Sequence, residues 1–475
     1  MGSDIPNSPF HCRNSFQKIA AAFLSQPGLP FAHLLSTERI ERVFAKHDGL
    51  FGWYGIYSTA IMVWSFLSQV LRDGKEASCQ SAVARIVSYC HQMGVKTPTC
   101  DTGDFCRART KLPEAALHEL SGQVSGDLEA EADEAWLWKG RHAKLIDGFA
   151  FTMPDTPKNQ AEYPQHKMQT PGVGLPMARV VAIISLATAC VMDAALGPYK
   201  GKETGEPALL RSILRSLQAG DVAVMDRCYC SFMMIALMSL QGTDVCARRH
   251  QRRHTDFRRG RRLGKNDHIM TWTRPECPAW MDQAVYQKIP ETLELREIRY
   301  HVVEKGRRTK TLTVITTLTD ADQYTQEDIA GLYGFRWNVE LDIRSIKDSL
   351  NLSHVRCKSP EMVRREVWTT LLAYNLIRTT AAGAALLHHK QPRQISFTSA
   401  CQYLLASWMI QSCQLNNAQS LRELCFCLLS QIAACEVANR PGRLEPRVLK
   451  RRRHGYKLME KPRDVPRREL RKRCA

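Results

Sequence analysis

Between residues 140 and 225 the chain changes from helical to strand-like apolar patterning, and this segment constrains the fold more than any other. Three apolar segments follow one another, HAKLIDGFAF, ARVVAIISLA and CVMDAALGPY, and each is suited to a buried or half-buried strand. Residues 206–218 then have helical spacing, and residues 221–225 form a fourth apolar strand. Strands combined with a helix in this order predict an α/β core.

Helical spacing dominates on both sides of this core. The chain is therefore predicted to begin with a helical N-terminal domain at residues 1–125, followed by the core at residues 140–385. A helical C-terminal region at residues 386–440 and a basic tail at residues 441–475 complete the predicted order. A mainly β insertion is expected within the core at residues 243–319. A short basic helix after the turn-forming residues 98–103 fits a helix-turn-helix and equally a three-helix packing without DNA contact.

The formal net charge of +19 is confined almost entirely to two segments. Residues 248–265 carry nine basic side chains against Asp256 alone, and residues 443–473 carry fourteen basic against four acidic ones. Such blocks are often solvated tails, but they also bind polyanions, because lysine and arginine release the counterions condensed on phosphates. The arginines of the first block are candidate DNA-binding residues: Arg248, Arg249, Arg252, Arg253, Arg258, Arg259, Arg261 and Arg262.

Cysteine spacing and the N-terminal sequence favour a cytoplasmic protein. None of the 17 cysteines is spaced C-x2-C, which argues against a zinc site and for reduced thiols. The first residues, MGSDIPNSPF, lack a charged leader followed by an apolar segment. The apolar stretch at 180–196 is interrupted by Asp193 and is too short to cross a bilayer, so no membrane contact is expected.

Two aspartates stand in strands, where a carboxylate is costly. Asp147 lies in the middle of KLIDGF, and Asp226 follows the strand DVAVM at its carboxyl end. A buried carboxylate is unfavourable unless it is paired, metal-bound or exposed in a cleft, and ligands of open α/β sheets bind at the carboxyl ends of strands. Each aspartate alone could be a turn former, so the interpretation depends on a third carboxylate.

Glu340, in the helix predicted at residues 329–350, is that third carboxylate. At roughly 100 degrees per residue, Tyr333, Arg336, Glu340 and Lys347 share a stripe about 60 degrees wide, beside an apolar stripe that would pack on the sheet. The alternative is a solvated helix in which Arg336 and Glu340 form an i, i+4 ion pair. Three convergent carboxylates instead suit two divalent cations for phosphodiester cleavage and transfer, and an oxygen-only ligand set favours magnesium.

The motifs around these residues resemble a known family. The spacing Y-x2-R-x3-E-x6-K in YGFRWNVELDIRSIK is similar to the signature of the bacterial insertion-sequence DDE transposases, of the class named for insertion sequence four. The resemblance extends to LIDGFAFTMPDTPKNQAEYPQ, to GDVAVMDRCYCS and to the basic segment that begins RRHQRRH. It covers residues 100–380 and implies an RNase H-like mixed-sheet core with a mainly β insertion, flanked by helical regions.

The family also implies roles for individual residues. Asp147, Asp226 and Glu340 would bind two Mg²⁺ ions, or Mn²⁺ in their place. The residues expected to contact the phosphates of the transposon end are Tyr333, Arg336 and Lys347.

In relatives that excise through a DNA hairpin, a tryptophan of the insertion stacks on a flipped base. Trp272 in IMTWTRP is the candidate for this role, and Trp280 is its rival. Cys228 in MDRCYC departs from the pattern, because glycine is expected there, and this departure concerns the geometry of the turn.

The sequence therefore predicts an enzyme of cut-and-paste transposition. Its helical N-terminal domain, residues 1–125, would bind DNA and recognise the terminal inverted repeats together with the basic insertion segment. The enzyme would act on transposon ends and target DNA as a homodimer in a synaptic complex, and excise the element through a hairpin. One alternative is a nuclease on the same core that cleaves without joining. Another is a transposase-derived DNA-binding protein without chemistry, but a protein that only binds DNA has no need for three convergent carboxylates.

Overall fold

The computed structural model describes residues 34–52, 55–92, 94, 96–301, 311–413, 418–438 and 459–474. The first 33 residues of the predicted N-terminal domain and residues 441–458 of the predicted tail lie outside them. The described strands are β1 (Ala143–Thr152), β2 (Met177–Ser185), β3 (Val191–Pro198), β4 (Val222–Met225), β5 (Asp244–Arg248), β6 (Arg261–Gly264), β7 (Asp267–Thr273), β8 (Thr292–His301) and β9 (Thr311–Thr316). The described helices are α1 (Thr37–Ala45), α2 (Thr59–Val70), α3 (Cys79–Gln92), α4 (Gly103–Arg109), α5 (Glu114–Ala130), α6 (Pro157–Glu162), α7 (Glu206–Ile213), α8 (Phe232–Leu240), α9 (Gln283–Lys288), α10 (Gln326–Gly334), α11 (Trp337–Arg344), α12 (Pro360–Leu387), α13 (Phe397–Cys413), α14 (Ala418–Ala434) and α15 (Asp464–Cys474).

Five strands form the core of the sheet, in the order β3-β2-β1-β4-β5. Strands β1, β4 and β5 run parallel, and β2 is antiparallel to both of its neighbours, β1 and β3. A mixed sheet of this order, in which only the second strand is reversed, is the RNase H-like arrangement. The predicted fold class is therefore confirmed.

Alternate side chains of the central strands enter two separate hydrophobic cores, because neighbouring residues of a strand point to opposite faces. Leu145 and Val224 belong to one core, and Ile146 and Met225 belong to the other. Helices α5, α11 and α12 contribute to the first core, and α7 and α8 contribute to the second. Asp147 has the same parity as Leu145, so its side chain lies on the face of the sheet against which α11 packs.

The sheet continues beyond β5 into the insertion. Strand β5 pairs with antiparallel β9, and β8, β7 and β6 follow, so nine strands form one sheet. The insertion was expected to start at residue 243, but β5 pairs with β4 and belongs to the core, so the added strands begin after β5. Buried Arg296 donates to Asp267 at 2.9 and 2.6 Å and to the carbonyl of Tyr324 at 2.5 Å, which ties the insertion to the start of α10.

The helix predicted at residues 329–350 is interrupted twice. Helix α10 ends at Gly334, α11 begins at Trp337, and the five residues after α11 form a π-helical turn, Ser345–Ser349. Such turns are rare and occur frequently at functional sites. A helical wheel assumes an uninterrupted α-helix, so it does not give the correct side-chain directions over the whole of residues 329–350.

The described N-terminal helices share a core with the sheet. Phe44 of α1, Phe66 of α2 and Leu117 of α5 belong to the same hydrophobic core as Leu145 of β1. The boundary expected at residue 125 therefore does not separate two cores. The helix-turn-helix and the simple helical packing both stay as predictions. Within the described ranges, the structure contains no helix that is both long enough and apolar enough to cross a membrane.

Candidate active site

The parallel pairing of β1 with β4 brings Asp147 and Asp226 together. Ile146 and Met225 are partners at the last position of this ladder, and each aspartate is the next residue along the chain. Strand β4 ends at Met225, whereas β1 continues to Thr152, so Asp147 lies beside the end of its neighbour. Both aspartates thus stand at the carboxyl end of β4, where ligands of open sheets bind.

Asp147 is a poorly solvated carboxylate, with a side chain that is 20% exposed. Burial raises its pKa from 3.8 to about 6, while the amide of Gly148 and the charge of Arg336 lower this pKa in part. The nearby charges of Glu206 and Asp226 raise the pKa further. Protein groups therefore do not fully compensate the ionised form, and this environment favours a bound cation.

Arg336 stands between two of the predicted metal-binding carboxylates. Its Nη1 donates to Oδ2 of Asp147 at 3.3 Å, and its Nη2 donates to Oε1 of Glu340 at 2.8 Å. The guanidinium is 12% exposed, and the Glu340 side chain is 38% exposed. The i, i+4 ion pair considered for a solvated helix is therefore present, but its arginine also reaches the sheet. The Arg336 guanidinium thus holds Glu340 of α11 beside Asp147, because it contacts both carboxylates.

Tyr333 and Lys347, the other members of the predicted stripe, differ in exposure. Tyr333 is 5% exposed, and burial raises its pKa, as does the charge of Asp226. Lys347 is half-buried and lies in the π-helical turn. Tyr333 is therefore placed among the charges of the site, whereas the phosphate contacts of both residues stay predictions.

The carboxylates have the donor atoms that a divalent cation prefers, but the three side chains do not converge on one point. In the part of the chain that the structure describes, no three His, Cys, Asp or Glu side chains are grouped as a metal site. Asp147 and Asp226 are adjacent, but Arg336 separates Glu340 from Asp147. The donor atoms are carboxylate oxygens, which Mg²⁺ and Mn²⁺ prefer. Metal binding by Glu340 together with the two aspartates therefore stays a prediction.

Glu206 is a fourth carboxylate at this site, and the sequence analysis did not select it. It is the first residue of α7, and its Cγ and Cδ would lie 2.8 Å from a Cβ placed on Gly148. Its Oε2 accepts from the Tyr229 hydroxyl at 3.4 Å and lies 3.6 Å from the Cys228 sulfur. The sequence signal that could have identified Glu206 is its position as an acidic residue at the start of the helix that follows β3.

The turn at Cys228 does not need the glycine that the family pattern suggests. Positive backbone φ values occur at several other residues, but Cys228 is not one of them. Burial raises the pKa of its thiol, and the charges of Glu206, Asp226 and Asp147 raise it further. The departure from the pattern is therefore compatible with the local backbone.

The basic segment lies between β5 and β7 and is largely exposed. Five of the eight candidate arginines are exposed: Arg252, Arg258, Arg259, Arg261 and Arg262. The other three are half-buried: Arg248, Arg249 and Arg253. Asp256 pairs with Arg258 at 2.9 Å and with Arg259 at 3.7 Å, which leaves a large excess of positive charge. An exposed, strongly basic edge of the sheet suits a polyanion.

The two tryptophans of the insertion differ in exposure, and the difference argues against Trp272 as the stacking residue. Trp272 is 7% exposed, donates from its indole to Glu297 at 3.2 Å and has the Arg253 guanidinium 3.6 Å from its ring centroid. It is a core side chain without a free face. Trp280 is 37% exposed and has the Arg211 guanidinium 3.8 Å from its ring centroid.

The chain is similar in sequence to known transposases. Residues 138–376 match the family described as Transposase DDE domain. The transposase InsG for insertion sequence element IS4 of Escherichia coli K12 is 28% identical over 320 residues, which cover 66% of this chain and 69% of that protein. The putative transposase InsZ of the same organism is 26% identical over 137 residues, 29% of this chain and 45% of that protein. A solved piggyBac transposase synaptic complex with hairpin DNA aligns at a TM-score of 0.39 and 9% identity, over 91% of this chain and 86% of that one.

The raised pKa of Asp147 predicts that Asp147→Asn stabilises the protein at pH 8 without divalent ions. Because the folded pKa of about 6 exceeds the ordinary 3.8, the folded carboxyl keeps a proton that the unfolded one has lost. Its favourable contribution is complete below the ordinary pKa and disappears as the pH rises through the folded value. At pH 8 the ionised side chain therefore costs about 3 kcal/mol, which the amide avoids.

Urea unfolding at pH 8 and pH 5 measures this effect. The variant should exceed the unmodified protein clearly at pH 8 and by roughly half as much at pH 5, because at pH 5 the unfolded carboxyl is already ionised and the folded one is mostly protonated. The exposed Asp348→Asn is the control and should change the stability little at either pH. A gain that is equal at both pH values, or a loss at pH 8, would contradict the assignment.

Proposed function

Because a match to the Transposase DDE domain spans half of its length, the chain belongs to the DDE transposase family, and we propose that Asp147, Asp226 and Glu340 are the residues with which it cuts and joins DNA. Its similarity to the IS4 transposase supports membership of that class of insertion-sequence enzymes. The proposed reaction is cut-and-paste transposition. The enzyme hydrolyses a strand at each element end, excises the element through a hairpin and transfers the freed 3′ ends to target DNA.

One observation carries the assignment of the site. Asp147 and Asp226 extend adjacent parallel strands, and Arg336 connects Asp147 to Glu340 on α11. Two bound divalent ions, Mg²⁺ or Mn²⁺, would supply a nucleophilic water or 3′-hydroxyl at neutral pH and stabilise the charge on the attacking and leaving oxygens. The three carboxylates would hold these ions.

Arg336 has a second role in this proposal. Its guanidinium balances Asp147 and Glu340 in the structure, and a DNA phosphate offers it an equally strong bidentate partner. We expect Arg336 to turn from the carboxylates to a phosphate when an element end binds. The same movement releases Glu340 and Asp147 for metal binding, so binding of the substrate and completion of the catalytic site are coupled.

DNA binding itself would rest on the basic segment. The exposed arginines of residues 252–262 can follow a phosphate backbone, and we propose that they help to recognise terminal inverted repeats together with the N-terminal helices. Two ends must be held together for excision and joining, so a homodimer in a synaptic complex is proposed. The reaction would take place in the cytoplasm, where bacterial DNA lies.

Two other functions use parts of the same molecule. A nuclease of the same core would cleave without joining, and a transposase-derived binding protein would recognise DNA without chemistry. The presence of Asp147, Asp226 and Glu340 together, with Asp147 kept in an environment that disfavours its ionised form, supports the catalytic proposal over mere binding. Formation of joined products separates transposition from simple cleavage.

Replacing one metal-binding carboxylate should abolish chemistry and leave binding intact. In Glu340→Gln and Asp226→Asn, we expect cleavage and strand transfer to fall by roughly 100-fold or more, because several kcal/mol of transition-state stabilisation depend on the metals. Labelled DNA with the element's own ends and a supercoiled target, with and without Mg²⁺, measures both steps. A gel-shift assay measures end binding.

The control is Glu327→Gln, which removes an exposed acidic residue from neighbouring α10. It should keep cleavage, transfer and binding. Retained transfer in Glu340→Gln would refute the assignment of that residue. Cleavage by the unmodified protein without any joined product would instead identify a nuclease.

For the hairpin step, we propose that Trp280 stacks on the flipped base in place of Trp272. Its ring borders a groove of about 440 Å³, which Arg215, Leu237 and Val285 also line. One open aromatic side chain beside arginine is the arrangement that binds an unstacked base. The burial of Trp272 gives a base no access to its ring.

Trp280→Ala should therefore impair hairpin formation without impairing the first nick. Stacking on an aromatic ring contributes about 1–3 kcal/mol per base, so hairpin yield should fall by roughly 5- to 150-fold. Denaturing gels resolve nicked from hairpin ends, and Trp280→Phe should recover most of the loss. Trp272→Ala should instead lower the unfolding midpoint, and normal hairpin formation in Trp280→Ala would disprove the stacking role.

A further inference from the structure

A buried charge network lies on the side of α11 that faces away from the active site. The Asp342 side chain is 1% exposed, and its two oxygens accept from two arginines and a tyrosine. Oδ1 accepts from Arg378 Nη2 at 2.9 Å and from the Tyr374 hydroxyl at 3.1 Å, and Oδ2 accepts from Arg393 Nη1 at 2.8 Å. Arg378 also donates from Nε to Tyr374 at 2.9 Å, so the carboxylate is fully engaged.

The network connects α11 to three other parts of the fold. Tyr374 and Arg378 lie on α12, and Arg393 lies in the short 3-10 turn that follows it. Arg393 also donates from Nη2 to the carbonyl of Ser185 and from Nε to the carbonyl of Leu186, each at 2.6 Å, at the end of β2. Through Asp342, α11 is therefore anchored to the long central helix and to the sheet.

Helix α11 depends on this anchor because its apolar contacts alone do not fix its rotation. It has eight residues, and it is separated from α10 by a break and followed by the π-helical turn. Its buried apolar side chains, Val339 and Ile343, can pack with small changes of rotation or height, since apolar contacts are not directional. Three hydrogen bonds to one carboxylate impose a defined distance and angle.

Asp342 and Glu340 lie on opposite sides of the helix. They are two residues apart, which is roughly 200 degrees of rotation in an α-helix. A shift at the anchored side therefore moves the Glu340 carboxylate relative to Asp147. Buried ion pairs add little net stability compared with apolar side chains, so a network of this kind is better explained by the geometry that it imposes.

We propose that Asp342 is a positioning residue that holds α11 at the rotation and height at which Glu340 can join Asp147 and Asp226. The inference rests on the proposed catalytic role of Glu340. Asp342 does not touch the substrate or the metal, and it acts only through the helix. The two arginines and Tyr374 are the partners that fix it.

The test compares Asp342→Asn with a matched variant of another buried carboxylate. Glu129 on α5 is 6% exposed and accepts from His142 at 2.8 Å and from Thr188 at 2.9 Å, and Lys144 also pairs with it. Glu129→Gln therefore removes a comparable buried charge that has no contact with α11. Both variants should lose stability, and only the first should affect the catalytic helix.

Three readouts separate positioning from loss of structure. In Asp342→Asn, kcat for strand transfer should fall by on the order of 100-fold, the effect of a displacement of about 1 Å, while KM for the element end stays unchanged. Electron paramagnetic resonance of free Mn²⁺, in the presence of end DNA, should show weaker binding by severalfold. Hydrogen exchange should accelerate in residues 337–349 and stay unchanged in α5.

Arg393→Gln is the second variant. It keeps Asp342 bonded to Arg378 and Tyr374, and it removes the ion pair of Asp342 with Arg393 together with the connection of Arg393 to the end of β2. Its side chain is 17% exposed, so the fold should tolerate the change. We expect the same changes in kcat, Mn²⁺ binding and exchange, at smaller size. If Asp342→Asn does not fold, Arg393→Gln decides the question.

The inference is wrong if Asp342→Asn, or Arg393→Gln in its place, matches Glu129→Gln in kcat, Mn²⁺ binding and exchange of residues 337–349. Failure of the proposed function has a different signature. In that case Glu340→Gln itself retains strand transfer, whatever Asp342→Asn does. The two failures are therefore distinguishable within one set of proteins.

Discussion

The parallel pairing of β1 with β4 is the constraint on which the rest of the structure depends. It continues from Ile146 and Met225 to two aspartates, and it does so in a sheet that is covered on both faces. An ionised carboxylate is costly in this position, because burial raises the pKa of Asp147 and the charges of Glu206 and Asp226 raise it further. The surrounding structure must therefore supply positive charge or accept a bound cation. We expect this need for positive charge to be met by the metal ions of the proposed reaction.

Helix α11 is the adjustable part of this arrangement. At its start, the preceding residue Arg336 contacts both Asp147 on the sheet and Glu340, and on the other side of the helix Asp342 anchors it to α12. The sharing of Arg336 partly balances the charges of Asp147 and Glu340. In our account it also makes the site responsive, because a phosphate can take the arginine and leave the carboxylates to the metals. The break before α11 and the π-helical turn after it allow such a short helix its own orientation.

The parts of the fold that depend on local pattern could be predicted from the sequence. The apolar segments around Asp147 and Asp226 indicated buried strands, and the spacing from Tyr333 to Lys347 indicated a helix with one polar stripe. The interruptions of that helix could not be predicted, because a wheel assumes a continuous helix and the π-helical turn arises from packing. Strand β5 was assigned to the insertion because its pairing with β4 is a long-range contact without a local signal.

Residues whose roles depend on tertiary contacts were missed for the same reason. Glu206 approaches Asp147 only because α7 begins against Gly148, and Trp272 is buried by a fold that the sequence does not reveal. Asp342 did have a signal. On the wheel it lies next to the apolar stripe, where an acidic side chain needs a buried partner, but its arginines come from segments 36 and 51 residues away.

Iron-mediated cleavage of the protein itself tests most directly whether Asp147, Asp226 and Glu340 hold the metal ions. Fe²⁺ can replace Mg²⁺ at oxygen sites, and with ascorbate and peroxide it generates hydroxyl radicals that cut the nearby backbone. With element-end DNA bound, we expect fragments that end close to residues 147, 226 and 340, and we expect added Mg²⁺ to suppress these fragments. Cleavage at other positions, or fragments that Mg²⁺ does not suppress, would show that these carboxylates do not hold the metals.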